Sequence, residues 1–266
     1  MKSKIYFSHK SSLKDFLEKI LEIFEKDIKG RVLLKPNIVS GEPYPTTTDP
    51  ELFQTLIQLL KDKVELWAGD ASAADLLRPS QTIKSHELAK IAEKEGIKFF
   101  DFYKEKMEKM STCFGNTLRI SRIPLQCDYI ISLAVLKSHI NVQLTGALKN
   151  QFGYLDRKER FRVHFQRRGL LEQAIVAVNQ LASCQLFIVD FRTTLINANE
   201  VRHGGKKAKG KGIFAGTDPL ALDWFGFHLL KEMEPKLYGK APYEIAYLSL
   251  AEKIGLGSTE FEVIEI

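Results

Sequence analysis

Apolar positions along this chain repeat with two alternating periods. Leu13, Leu17, Ile20, Leu21 and Phe24 lie three or four residues apart and so share one helical face. Ser12 before them is a good N-cap and Gly30 after them a helix stop, which predicts a helix over 12–29. Val32-Leu33-Leu34 follows as an unbroken apolar run, the pattern of a strand buried on both faces. The alternation then recurs. Leu52, Leu56, Leu59 and Leu60 predict a helix capped by Asp49 and opened by Pro50. A strand over 64–68 ends at Gly69-Asp70, and a helix over 82–95 leads to a strand over 97–102. Strands are expected over 116–121 and 129–133, and a helix over 170–181. A strand over 186–189 closes on Asp190. The last part reads as a strand near Ile213, a helix opened by Asp218-Pro219, a helix over 243–254 and an end strand over 261–264.

Strands alternating with helices predict an α/β fold: a mostly parallel, helix-covered sheet with Rossmann-like layering. The 266 residues fit a single domain over 1–266, or two closely joined lobes. No repeat, low-complexity segment or clean linker divides them.

Composition narrows the class. Hydrophobic residues are 44% and charged residues 27%, ordinary for a globular chain and wrong for a disordered one. No apolar run approaches the roughly 20 residues that span a bilayer, so no membrane partner is expected. The start, MKSKIYFSHKSS, lacks the apolar core of a signal peptide, and a cytoplasmic location is the expectation. Cys113, Cys127 and Cys184 are dispersed, with no Cys-x-x-Cys pair. They support neither a disulfide framework nor a zinc or iron–sulfur site within this chain. The net charge of +6 suits anionic partners.

In an open α/β sheet, ligands sit beyond the carboxyl ends of the strands. Four polar strand tails are therefore of interest: Lys35-Pro36-Asn37, Gly69-Asp70, Lys137-Ser138-His139 and Asp190. The densest is LKSHINVQLTGALKNQFG over 136–153, which lacks the periodicity of a core helix. It carries Lys137, His139, Thr145, Lys149, Asn150 and Gln151, with Gly146 and Gly153 between them. Lysines, an imidazole and amide donors beside small glycines suit a carboxylate or phosphate. A solvated loop with clustered lysines is the plainer alternative. Thr47 sits in Thr46-Thr47-Thr48-Asp49-Pro50 at a helix N-terminus, which favours anions, although capping by Asp49 explains the motif equally. Asp218 reads as a helix cap, and Asp223 within the same helix raises the alternative of a metal pair. His164 follows a basic run over 157–162, and a second basic stretch covers 202–211. The two read as loops that offer either a nucleic-acid surface or a lid. Phosphate loops, dinucleotide fingerprints, nucleophile elbows and His-Glu-x-x-His are absent from the sequence.

The same residues carry a family resemblance. VLLKPNIV, TTTDP, Gly69-Asp70, CDYIISL with LKSH, LTGALKNQFG, Asp190 and GTDPLALD follow one another in this order. The chain thereby resembles the domain-of-unknown-function 362 family over about 30–226, with the LKSH and TGALKNQFG blocks the most specific. The resemblance implies that Lys35, Asn37, Lys137, His139, Thr145, Lys149, Asn150, His164 and Asp218 belong to the family pattern, without giving them roles. Many members carry an added ferredoxin-like module; with no cysteine cluster here, redox work would need a separate partner.

The leading reading is an enzyme for a small anionic metabolite. Lys35, Lys137 and Lys149 would hold the anion, and Asn37, Thr47, Thr145, Asn150 and His164 would contact the ligand. His139 and Lys149 are the catalytic candidates, with His139 the acid–base group because imidazole titrates near neutrality. Asp70, Asp190 and Asp218 are the candidates for a divalent metal. A non-catalytic sensor using the same pocket and a nucleic-acid binder using the two basic loops are the alternatives.

Overall fold

The computed structural model describes residues 2–166 and 169–266. β1 (Ser3–Ser8), α1 (Leu13–Ile23), β2 (Arg31–Lys35) and α2 (Pro50–Leu60) open the chain. β3 (Glu65–Asp70), α3 (Pro79–Ser85), α4 (Glu87–Lys94) and β4 (Lys98–Asp101) continue the alternation. A hairpin of β5 (Met107–Ser111) and β6 (Thr117–Ser121) precedes β7 (Tyr129–Val135). A second hairpin, β8 (Lys137–His139) and β9 (Gln143–Thr145), leads into α5 (Ala147–Asn150), α6 (Arg157–Phe165) and α7 (Leu170–Leu181). β10 (Leu186–Ile196), β11 (Lys206–Gly216), α8 (Pro219–Lys231), α9 (Ala246–Lys253) and β12 (Phe261–Glu265) complete it.

Eight strands form one sheet in the order β12-β1-β11-β10-β7-β2-β3-β4. Only the two pairings of β11, with β1 and with β10, are antiparallel; the others are parallel. The expected mostly parallel α/β sheet is the observed one. Its central strands are apolar on both faces because helices cover both. Val32 and Leu34 of β2 pack into one core and Leu33 into the other. In β10, Leu186 and Ile188 go one way, and Phe187 and Val189 the other. From β2 the chain steps to β3 and β4 on one side, whereas β7 and β10 lie on the opposite side. The space beyond the carboxyl ends of β2 and β7 is thus the switch point, where open α/β sheets hold ligands.

Several elements depart from the sequence pattern for local reasons. α1 stops at Ile23, because Phe24 leaves helical geometry (φ −106°, ψ 10°). The helix expected over 82–95 is two helices: His86 leaves helical geometry (ψ 144°) and caps α4 through Nδ1, which accepts the Leu88 N–H at 3.2 Å. The first basic segment is helical, and the second is a turn only over 202–205 before it becomes a strand. Residues 157–162 begin α6, capped by Asp156, and Arg160 is buried. Residues 206–211 belong to β11, whose Lys206–Lys209 pair antiparallel with Thr193–Ile196. β1 went unseen because among its six residues only Ile5 and Ser8 are buried.

The 136–153 segment is held from below. Asp223 on α8 is fully buried and accepts the Ala147 and Leu148 N–H groups at 2.6 and 3.1 Å. A Cβ at Gly146 would overlap Asp223 Oδ1, so only glycine fits there. Burial pushes the Asp223 carboxyl up to about 7. A folded-state value raised above the ordinary carboxyl value of about 4 means stability is full below that value and lost as pH rises through about 7. Asp223→Asn should therefore flatten the fall in melting temperature between pH 5 and pH 8. It should also cost about 1–3 kcal/mol, since the amide accepts only one of the two N–H groups. Melting curves across that range check both; an unchanged pH profile would contradict the assignment.

Candidate functional site

Lys35 ends β2 and Asp70 ends β3, two neighbouring parallel strands in register. Their side chains meet: Lys35 Nζ lies 2.7 Å from Asp70 Oδ1, and both residues are almost wholly buried. Burial lowers the lysine pKa and raises that of the aspartate, while each partner's charge opposes the change. The remaining valences are filled mainly by backbone. Asp70 accepts the Ile38 N–H at 2.6 Å and the Ala71 N–H at 2.8 Å, and Lys35 donates to the Pro36 carbonyl at 2.7 Å. Gly153 lies against the pair, where a Cβ would overlap Asp70 Oδ1 and stand 2.7 Å from Lys35 Nζ.

A cleft of about 320 Å³ opens over this pair. Seven residues singled out in the sequence line it: Lys35, Asn37, Asp70, His139, Lys149, Asn150 and His164. Phe152 and Arg160 line it as well. The Lys149 ammonium sits 4.4 Å above the Phe152 ring, and the Arg160 guanidinium 5.5 Å from it. Arg160 is buried and donates to the carbonyls of Ala71, Ser72 and Gly153. Among the described residues, neither cation lies within 4.0 Å of a carboxylate. The acids of the cleft are already paired: Asp70 with Lys35, Glu200 with Arg202 and His203, and Asp75 with Arg202. Burial, followed by the charges of Arg160, Lys137 and Lys35, lowers Lys149 to about 7. Positive potential is left without counter-charge, the condition for anion binding.

The two cleft histidines are fixed in opposite tautomers by their backbone partners. His139 Nδ1 accepts the Asn141 N–H at 3.1 Å and the Val142 N–H at 3.4 Å, so its proton is on Nε2. Burial, then Lys149 and Lys137, hold its pKa well below the usual imidazole value. His164 Nδ1 lies 2.6 Å from the Arg160 carbonyl, which can only accept; its proton is on Nδ1, and its Nε2 lone pair has no partner among the described residues. Burial lowers the His164 pKa too, despite the opposing effect of that hydrogen bond. His139 is therefore a neutral donor, because a second proton would break two backbone hydrogen bonds. In this geometry His139 offers the cleft an N–H donor, whereas the unprotonated ring nitrogen is that of His164.

Other expected residues lie elsewhere. Lys137 is fully buried behind the cleft, donates to the Thr46 carbonyl, and is lowered to about 7 by burial. Thr145, its neighbour across the β8–β9 ladder, has a buried hydroxyl without a partner among the described residues. Thr47 donates to the Glu42 carbonyl at 3.2 Å. These three face the protein interior instead of the ligand space. Asn150 lines the cleft, but its amide is engaged with Lys35 and Ser132, so it positions the segment. Asp190 is paired with Arg192 at 2.6 Å, and Asp218 caps α8 through the Leu220 and Ala221 N–H groups. Asp70, Asp190 and Asp218 thus occupy separate places. No group of three metal-ligating side chains forms among the described residues. Arg160, Phe152 and Gly153 were not marked as site residues; a basic run reads as surface, and only the fold turns Arg160 inward.

The family model of the domain of unknown function DUF362 matches residues 32–228. A thylakoid-associated protein of Synechocystis sp. is 25% identical over 239 residues, covering 88% of this chain and 70% of that protein. The lactate racemase apoprotein of Thermoanaerobacterium thermosaccharolyticum has a similar fold, with a TM-score of 0.51 at 14% identity. That match covers 80% of this chain and 54% of the racemase, so the chain spans about half its length. No helix among the described residues is long and apolar enough to cross a membrane.

Removing one partner of a buried ion pair strands the other. Asp70→Asn should cost about 3–5 kcal/mol, read as a lower urea midpoint at unchanged slope. Lys35→Met should cost less, because Asp70 keeps its two N–H donors and the nearby Arg160. The reverse order would contradict this geometry.

Proposed function

The chain belongs to the DUF362 family, and from the geometry of its cleft we propose that it is an enzyme acting on a small anionic metabolite. One observation carries the reading: Lys149 and Arg160 face one cleft, and the acids around them are committed to other cations. In this reading the Lys149 ammonium holds the anion and Arg160 adds positive potential from beneath. His139 Nε2–H donates to a ligand oxygen, and His164 Nε2 removes or returns a proton beside the anionic group. Asn37 lines the same wall, and Lys35, Asp70 and Asn150 keep the walls in place. The reaction class is proton transfer next to a carboxylate or phosphate. A carboxylate is favoured by the racemase of similar fold, a protein named for a hydroxy acid substrate. A cytoplasmic location is part of the proposal; no helix among the described residues is long and apolar enough to cross a membrane.

Thermal shift and solvent-exchange measurements test this proposal. A carboxylate at 100 times its dissociation constant should add about 2.7 kcal/mol of stability to the wild type, and the shift should vanish in Lys149→Ala. Deuterium from solvent should enter the bound substrate in the wild type and not in His164→Ala. Binding without exchange in the wild type would make the protein a sensor instead of an enzyme.

The pH dependence follows from Lys149. With a value lowered to about 7, the ammonium is present at pH 6 and mostly lost at pH 8. The dissociation constant should therefore rise about tenfold over that interval. Lys149→Arg, charged throughout, should bind with little pH dependence. A flat wild-type profile would remove Lys149 from the site.

A further inference from the structure

The cleft is asymmetric in a way that the anion site alone does not explain. Its floor is cationic and polar, while its mouth is walled by large apolar side chains. Ile140 is 49% exposed, Phe161 39% and Phe165 80%, and all three line the same cleft as Lys149. Phe161 and Phe165 lie four residues apart on α6, and their rings stack with centroids 6.2 Å apart at 22°. An amphipathic helix ordinarily turns such residues inward, as Val163 does here. Arg157 anchors this helix to the opposite wall by donating to the Ala74 and Leu76 carbonyls at 3.0 and 2.9 Å. The aromatic pair thus lines the same cleft as Ala73 and Ala74, with both rings partly in solvent. Exposed apolar surface gathered at a cleft, with a few polar groups at its base, is the signature of a binding site.

We infer that the ligand is a carboxylate bearing an aromatic ring, with the carboxylate at Lys149 and the ring against Phe161 and Phe165. This rests on the anion-binding reading above and narrows it. Volume points the same way. The cleft's 320 Å³ is room for on the order of ten waters at about 30 Å³ each, more than a two- or three-carbon acid fills. Inorganic phosphate, compact and polar throughout, would leave the aromatic wall in water. A ring in offset or edge contact with the Phe161–Phe165 pair buries apolar surface from both sides.

NMR titrations of the full chain with acetate and with phenylacetate test the inference. Phenylacetate should bind at least about tenfold tighter than acetate, the discrimination that apolar contact in a pocket provides. The Phe161→Ala/Phe165→Ala double variant should lose that preference and keep its affinity for acetate. Both positions are exposed enough for the variant to fold, which its unchanged backbone spectrum away from α6 would verify. Equal affinities in the wild type, each weakened by Lys149→Ala, would overturn the aromatic inference and leave the anion site standing. Failure of both acids to bind would overturn the anion reading and this one with it. Self-association of the wild type that disappears in the double variant, with phenylacetate affinity unchanged, would assign the aromatic lip to a second copy and also overturn the inference.

Discussion

The buried contact between Lys35 and Asp70 is the constraint on which the site is built. Two charges taken out of water are tolerated only when their remaining hydrogen-bonding positions are filled, and here mainly backbone fills them. The Ile38 and Ala71 N–H groups and the Pro36 carbonyl can do so only if both strand-end loops fold close over the pair. The QFG turn can cover it only because Gly153 has no side chain. Asn150 then ties the same turn to Lys35 and to Ser132 of β7. One ion pair thus joins β2, β3, β7 and the 136–153 segment at the switch point of the sheet.

The chemistry of the cleft follows from how its charges are matched. Asp70 pairs with Lys35, and Asp75 and Glu200 share Arg202, so among the described residues Lys149 and Arg160 have no carboxylate partner. The tautomers of the histidines are likewise decided by backbone. Two N–H groups on His139 Nδ1 make that ring a donor into the cleft, and a carbonyl on His164 Nδ1 leaves an acceptor. A site that offers cation, donor and acceptor around one space is suited to a carboxylate whose neighbouring atom gains and loses a proton. Membership of a family defined only as a domain of unknown function leaves this chemistry to be argued from the side chains themselves.

Much of this was legible in the sequence, and the gaps have physical causes. The parallel sheet shows through because strands covered on both faces carry unbroken apolar runs, as in Val32–Leu34 of β2 and Tyr129–Ile131 of β7. Caps announce themselves in Asp49-Pro50 and Asp218-Pro219, whose side chains do accept the first helical N–H groups. Polar strand tails located the cleft, since Lys35 and Asp70 end adjacent strands. Residue type could not separate Lys149, which faces the cleft, from Lys137, which is sealed behind it. That difference depends on the β8–β9 hairpin, whose three-residue strands are too short to leave a period. Nor could charge distinguish Arg160, drawn inward by three carbonyls, from its solvated neighbours on α6.

In the proposed site an outside anion completes the charge balance over the Lys35–Asp70 pair. A crystal structure of the chain soaked with a small carboxylate tests it most directly. The carboxylate oxygens should lie within hydrogen-bond distance of Lys149 Nζ and His139 Nε2, with the Lys35–Asp70 contact intact beneath. A carboxylate bound instead along the lysine-rich β10–β11 ribbon, with no ligand density in the cleft, would contradict it.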